Sequence, residues 1–187
     1  RKMPRWTPTI NYYGKGEYRE SVWTIPIFFK RNGNLIAHTA ESHLEVGVPI
    51  CYLNEQGDTI IPYGKYKFCQ TDTIRHIGFV YENRQNARIV CIDNQGKELF
   101  YVYKYDNGPD YIREGLFRIM DDKGLIGFAD LLGNVVIKPQ FKFAFPFEGN
   151  KAKVTLTGEQ KEMPDRERRE WASDKWQYIN KKGELIQ

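Results

Sequence analysis

Cysteine is scarce in this chain of 187 residues: Cys51, Cys69 and Cys91 make an odd count with no CxxC spacing. Neither a disulfide framework nor a zinc pattern is indicated, and small buried residues are the better reading of all three. Histidine is equally sparse. His38 and His43 stand five apart, which fits neither the i, i+4 zinc pair nor an alternating strand pair, and His76 stands alone, so no metal site is expected. No apolar run approaches the roughly 20 residues of a membrane-spanning helix, so membrane insertion is not expected and the reading is a soluble protein or the soluble part of one.

Charge of one sign is also missing. Lys and Arg number 28 against 24 Asp and Glu, a formal net charge of +4, and the two signs are interspersed. A nucleic-acid partner would leave a basic stripe, and none is present. Catalytic signatures are thin. Ser21, Ser42 and Ser173 have no GxSxG elbow. Cys69, with Asp72 and His76 nearby in sequence, is the nearest thing to a thiol nucleophile, and it would have to be exposed and held as a thiolate. Asp121 and Asp122 are acids of the kind a glycosidase pairs across a cleft, but they fall in a turn pattern where acids are ordinarily solvated.

Aromatic residues, by contrast, are plentiful: 14% of the chain, with 12 Tyr and 11 Phe among many Val and Ile, which favours pleated, half-buried surfaces. The fold class read from this is all-β. Turn signals recur at Arg31-Asn32-Gly33, Gly57, Gly96, Gly133 and Gly183, each between short apolar pairs. Asn54, Asp93, Asp130 and Asn180 each stand three residues before one of these glycines. That spacing fits a hairpin turn in which Asx bonds local backbone while Gly takes positive φ.

The windows from Gly78 to Gly96 and from Gly115 to Gly133 are equally long and align without a gap. The alignment sets Phe79 on Leu116, Val80 on Phe117, Ile89 on Ile126, Cys91 on Phe128 and Asp93 on Asp130. A repeat of 37 to 39 residues is the simplest account, each unit being three or four short antiparallel strands. Units are expected near residues 48–77, 78–114, 115–149 and 150–187, after an N-terminal cap with a degenerate unit over residues 1–47. The last unit is interrupted by residues 158–175, where the charged run after Pro164 suits one short helix, with a surface loop as the alternative.

Gly124, Gly127 and Gly133 space as GxxGxxxxxG, which is neither a dinucleotide fingerprint nor a phosphate loop, so no cofactor is expected. Gly133 and Gly124 are turn residues in this reading. Gly127 lies inside a strand, where the close approach of a neighbouring side chain, an aromatic ring for instance, would explain it.

Residues 114–154 carry Gly115-Leu116 at the head of a unit, Ile126-Gly127-Phe128 in its second strand, Pro139 at the end of its third, and Phe147-Glu148-Gly149 at the exit. In this the chain resembles the WG (KWG) β-repeat family of bacterial proteins, whose units run Gly-Leu, Lys-Trp-Gly-Tyr-Ile-Asp, Val-Val-Ile-Pro-Pro and Phe-x-x-Gly. The naming dipeptide is replaced in each copy, by Ile126-Gly127, Ile89-Val90 and Trp176-Gln177. The resemblance implies an all-β repeat array and transfers no catalytic residue.

Function is therefore expected to be binding rather than catalysis: a non-enzymatic interaction module for a protein partner, with carbohydrate binding as the alternative and a cryptic hydrolase third. Trp6, Trp23, Trp171 and Trp176 are the candidate binding surface, since exposed rings stack on sugars and anchor interfaces, while buried ones cap an open sheet end. Gly57, Gly96, Gly133 and Gly183 are assigned to turns. The start at Arg1 rather than at a methionine is read as the result of either processing or trimming, an export signal being one segment that could have gone with it, and the expected location leans to the cell envelope or exterior.

Overall fold

A computed structural model describes residues 33–44, 47–162 and 169–186, and every described element is a β-strand. The chain divides into two compact units at the Leu99–Phe100 junction.

In the first unit, β1 (Leu35–His38), β2 (Cys51–Leu53), β3 (Thr59–Ile61) and β5 (Thr73–Ile74) form an antiparallel sheet in the order β3-β2-β1-β5. β1 alternates, with Leu35 and Ala37 buried and Ile36 and His38 turned out, as expected where one sheet face meets a core. A second group is β4 (Tyr66–Cys69), β6 (Ile77–Glu82) and β7 (Ile89–Asp93), ordered β4-β6-β7. Ile89, Val90, Cys91 and Ile92 are all buried, so β7 is covered on both faces and reads as a continuous apolar run.

β8 (Glu98–Val102) carries the chain across the junction, and β9 (Lys104–Tyr105) and β10 (Gly108–Pro109) make a short hairpin. β11 (Leu116–Met120), β12 (Ile126–Asp130) and β13 (Val135–Phe141) continue the second unit in the order β8-β11-β12-β13. β14 (Phe143–Ala144), β15 (Ala152–Thr155), β18 (Gln177–Ile179) and β19 (Leu185–Ile186) form a further antiparallel sheet, and β16 (Glu159–Glu162) pairs with β17 (Arg169–Ala172) in a hairpin of its own. Leu116, Phe128, Ile137, Phe147, Val154 and Ile179 are among the buried residues that form the core of this unit. Phe128 and Phe147 meet edge to face at 4.8 Å between ring centroids.

Five turns share one hydrogen-bond pattern. At Asn54, Asp93, Asp121, Asp130 and Asn180 the side-chain Oδ1 accepts from the backbone N–H two and four residues on, at 2.8 to 3.0 Å. The glycine three residues on donates its N–H to the Asx carbonyl and takes φ between 77° and 88° at Gly57, Gly96, Gly124, Gly133 and Gly183. The side chain thus stands in for a backbone partner, and the glycine avoids the strain a Cβ would bring in the left-handed region. Asp121, read above as a solvated acid, is the fifth copy. Of the remaining turn signal, Arg31 and Asn32 lie outside the described residues, and Gly33 has no positive φ.

Strand registers revise the gapless alignment. Asp93 faces Ile77 across β6–β7, whereas Asp130 faces Leu116 across β11–β12. Ile77, not Phe79, is therefore the counterpart of Leu116. The second strands align as expected and the first slip by two positions, because Tyr81 faces Ile89 while Met120 faces Ile126 and the first hairpin has the longer turn. Gly78 is accordingly no counterpart of Gly115. Gly115 has φ +85° in a tight turn, while a Cβ at Gly78 would lie 2.5 Å from Ile74 Cγ1.

Gly127 also departs from expectation. What presses on it is backbone rather than a ring: a Cβ there would meet the carbonyl oxygen of Ile137 and come within 2.6 Å of Pro139 N. The cause is a register shift in β12–β13, where Ile126 pairs with Phe141 but Phe128 pairs with Ile137, so that the bulged strand folds over residue 127.

The short helix expected in residues 158–175 is not formed by the described part of that segment. Glu159 pairs with Ala172 and Glu162 with Arg169 in antiparallel register, and residues 163–168, including Pro164, lie outside the described residues. Cross-strand pairing satisfies the backbone of each arm, whereas a charged helix of this length would lack an apolar face to bury.

Candidate functional site: an aromatic cleft over a buried ion pair

β11 carries Leu116, Arg118 and Met120 on one face, and Leu116 belongs to the core. Arg118 therefore enters the interior of the second unit, where it is 2% exposed. A lone charge there would cost several kcal/mol, so it must be paired. Asp110, at the end of the β9–β10 hairpin and 3% exposed, supplies the partner. Arg118 Nε donates to Oδ2 at 2.9 Å and Nη2 to Oδ1 at 2.5 Å, while the Arg118 backbone N–H reaches Oδ2 at 2.8 Å. Nη1 donates to the carbonyl of Ala144 at 2.9 Å, which ties β11 to β14.

The guanidinium also sits against two rings, 4.1 Å from the Tyr103 centroid and 5.8 Å from that of Tyr105. Tyr105 and Tyr111 are 5.1 Å apart and tilted, and Arg113 lies 6.0 Å from Tyr111. Burial pushes the Tyr103 hydroxyl above its usual pKa, with Arg118 opposing and Asp110 and Tyr105 reinforcing, so the hydroxyl keeps its proton.

The facing wall comes from β14 and the β16–β17 hairpin. Trp171 stacks on Phe143 at 5.4 Å with 13° between planes, and its Nε1 donates to Thr157 O at 3.0 Å. Ser173 Oγ lies 2.8 Å from Thr155 Oγ1 and 3.0 Å from Thr157 Oγ1, which closes the root of the hairpin. Between the walls lies a cleft of about 320 Å³, floored by Arg118 and Tyr103 and flanked by Tyr105, Tyr111, Phe145 and Trp171, with Arg113, Gln160 and Glu170 at its polar edge. Its volume is at the small end of ligand clefts.

Of the four tryptophans singled out in the sequence, Trp171 lines this cleft. Trp176 is half-buried beside it, 5.5 Å from Phe145 and 6.4 Å from Phe143, with Lys153 Nζ 4.7 Å from its ring. Trp6 and Trp23 lie outside the described residues. Sequence reading passed over Arg118, Asp110, Tyr103, Tyr105, Tyr111, Phe143 and Phe145. A signal for the first was present, since Arg118 interrupts an apolar strand whose neighbours on both faces are core residues.

The residues weighed for catalysis are placed otherwise. Cys69 is buried, and burial raises its thiol pKa, the reverse of what a thiolate nucleophile needs. His38 Nδ1 lies 2.9 Å from Tyr63 Oη and His43 Nδ1 3.0 Å from Ser42 Oγ. Among the described residues no group of three His, Cys, Asp or Glu is placed to hold a metal ion. No helix of the described residues is long and apolar enough to cross a membrane.

Residues 126–158, from β12 to the end of β15 and the turn after it, match the model of the family described as WG containing repeat. No curated protein and no solved structure gives a significant match to the chain.

Proposed function

We propose that this chain, whose residues 126–158 match the WG containing repeat, is a non-enzymatic β-repeat interaction module which holds a segment of another protein in the aromatic cleft of its second unit. The observation that carries this reading is the cleft itself. Rings form its walls, Arg118 at its floor is already committed to Asp110, and the polar groups stand at the edge. That is the build of a recognition site, with apolar anchors inside and hydrogen bonding at the rim.

The test is a peptide selection on the whole chain with random dodecapeptides displayed on phage. Enrichment of peptides that bind the parent and lose at least tenfold in affinity to Tyr105→Ala is the expected result; no enrichment over a control surface would reject the reading. A carbohydrate ligand is the second reading, favoured by the exposure of Tyr105 at 47% and Phe145 at 43%, since open ring faces stack on sugars. Glycan-array binding abolished by Trp171→Ala would move the assignment to that class.

A further inference from the structure

Two strand pairs of the second unit, β11–β12 and β15–β18, carry a cation at the same position, and only one of the two cations has its acid. Strand registers identify the position. Arg118 faces Phe128, two residues before the Asx turn at Asp130, and Lys153 faces Tyr178, two residues before the Asx turn at Asn180. The flanking segments agree: the Tyr103 N–H donates to the Arg118 carbonyl at 3.0 Å and the Phe145 N–H to the Lys153 carbonyl at 2.8 Å, so Tyr103 and Phe145 are counterparts as well. Rings lie against both cations. Tyr103 is 4.1 Å from the Arg118 guanidinium, while Trp176 and Phe145 are 4.7 and 6.0 Å from Lys153 Nζ.

What differs is the connection. Between Tyr103 and Leu116 the chain makes the β9–β10 hairpin, which brings Asp110 onto Arg118. Between their counterparts, Phe145 and Lys151, stand only residues 146–150, and no strand is among them. The element that supplies the carboxylate has no equivalent there. Among the described residues, Lys153 Nζ lies against the rings already named and Lys151 Nζ lies 5.0 Å from the Tyr178 ring, and neither ammonium has a carboxylate or hydrogen-bond partner. The place is also open. The sheet turns Ala144, Val154 and Ile179 to the core, and its opposite face shows Tyr178 at 42% and Ile186 at 41% exposure beside the exposed Phe145.

Charge and build together choose the occupant. A neutral sugar would stack on the rings and leave both ammonium groups unmatched. Single-stranded nucleic acid is held by a basic groove that tracks its backbone, and two lysines do not make one. A second copy of the chain seated here would bury Lys151, which stands at the position of the core residue Leu116, without a partner. A carboxylate carried on a protein turn reproduces what β9–β10 already presents to Arg118.

We infer that the outer face of the β14-β15-β18-β19 sheet docks a turn or hairpin of a partner protein that sets an Asp or Glu on Lys153 and an apolar side chain on the rings of Phe145 and Tyr178. A hairpin pairs its own backbone, as β9–β10 does, so the face need offer it no strand edge. This surface goes beyond the cleft, with which it shares Phe145, and rests on the unmatched Lys153 rather than on the cleft reading.

The probe is a phage library of random dodecapeptides closed by a disulfide, so that each presents a turn. It is depleted on Lys153→Met, which keeps the side-chain stem and removes the charge, and then panned on the parent chain. Enriched peptides are resynthesised with a fluorescein label, alongside versions in which Asp and Glu are replaced by their amides, and titrated by fluorescence polarisation. The expected result is an acidic residue in the enriched peptides, with at least a tenfold loss of affinity on its replacement or in Lys153→Met and at least a fivefold loss in Tyr178→Ala. Lys153→Arg should bind within about twofold of the parent, since Arg118 holds a carboxylate at the equivalent position. No peptide that separates the parent from Lys153→Met, or an acid replaced without loss, overturns the inference; the cleft reading is judged apart, through Tyr105→Ala. Polygalacturonate binding that disappears in Lys153→Met, with no peptide enriched, also overturns it and gives the face to an acidic polysaccharide. Tyr178 is exposed and Lys153→Met keeps its stem, so melting temperatures equal to the parent's are expected and tie each loss to the face itself.

Discussion

Arg118 and Asp110 bind each other through two side-chain hydrogen bonds while 2% and 3% exposed, and the pair forms the support of the aromatic cleft. Removing one partner strands the other charge in the interior. Arg118→Ala and Asp110→Ala are each expected to lower stability by about 3 to 5 kcal/mol in urea unfolding. The double variant should lose much less than the sum, because the stranded charge is absent. Additive losses would mean that the two residues act separately.

Gly127 lies beneath the bulge of β13, where a Cβ would overlap the carbonyl of Ile137 and approach Lys138 C to 2.8 Å. Backbone on a paired strand yields less readily than a side chain. Gly127→Ala should therefore cost about 1 to 3 kcal/mol, the range for overpacking, and shift the amide resonances of residues 137–139. A melting temperature equal to the parent's would contradict the close approach.

Asp130 and Gly133 test the turn. Oδ1 of Asp130 accepts from Leu132 N and Asn134 N, both at 2.9 Å, and Gly133 has φ +86°. Asp130→Ala removes two backbone partners and should cost about 1 kcal/mol, the order of a net hydrogen bond. Asp130→Asn should be close to neutral, since Asn54 and Asn180 make the same bonds in their own turns. Gly133→Ala should cost about 1 to 2 kcal/mol from left-handed strain alone. Thermal unfolding of the three variants separates these effects.

Turn chemistry is local, and for that reason it was the most legible part of the chain. Asx and glycine three residues apart fix their own hydrogen bonds and φ whatever the sheets do, so the pattern at Asn54, Asp93, Asp130 and Asn180 read correctly from sequence. Register is not local. The two-position slip between Ile77 and Leu116 is set by how many residues the turn between the two strands of each hairpin takes, which equal glycine spacing concealed. Gly127 has the same character, since its neighbour is a bulge in another strand. The cleft was hardest to see. Tyr103, Tyr111, Phe143 and Trp171 come from separate elements, and only the buried Arg118 among apolar neighbours marked the place.

Glu82 gives the first unit an acid-sensitive contact. Burial alone would raise its carboxyl pKa, but bonds from the Arg88 side chain and backbone, with Arg84 adding to them, outweigh it and hold the group below the usual carboxylate value. A carboxyl whose folded pKa is depressed stabilises the fold above its unfolded pKa and loses that contribution as pH falls through the folded pKa. Stability should thus decline on acidification below the ordinary glutamate range, and Glu82→Gln should lie below the parent at neutral pH and converge with it in acid. A constant offset at every pH would show that the loss in Glu82→Gln is steric.

The β16–β17 hairpin brings Trp171 to the cleft only if its root is closed. Gly158 has φ +99°, and a Cβ there would meet the carbonyl of Ala172 and lie 2.7 Å from Trp171 Nε1. The same root holds the Trp171 Nε1 bond to Thr157 O and the Ser173 hydroxyl between Thr155 and Thr157. Gly158→Ala should therefore open the hairpin without disturbing the core of the unit. The expected signature is faster hydrogen exchange across residues 159–162 and 169–172, with amides of β12 and β15 still protected, and at least a fivefold loss in affinity for the selected peptides. Loss of protection in β15 as well would mean that the hairpin is part of the unit's folding core, and unchanged affinity with an opened hairpin would remove Trp171 from the recognition surface.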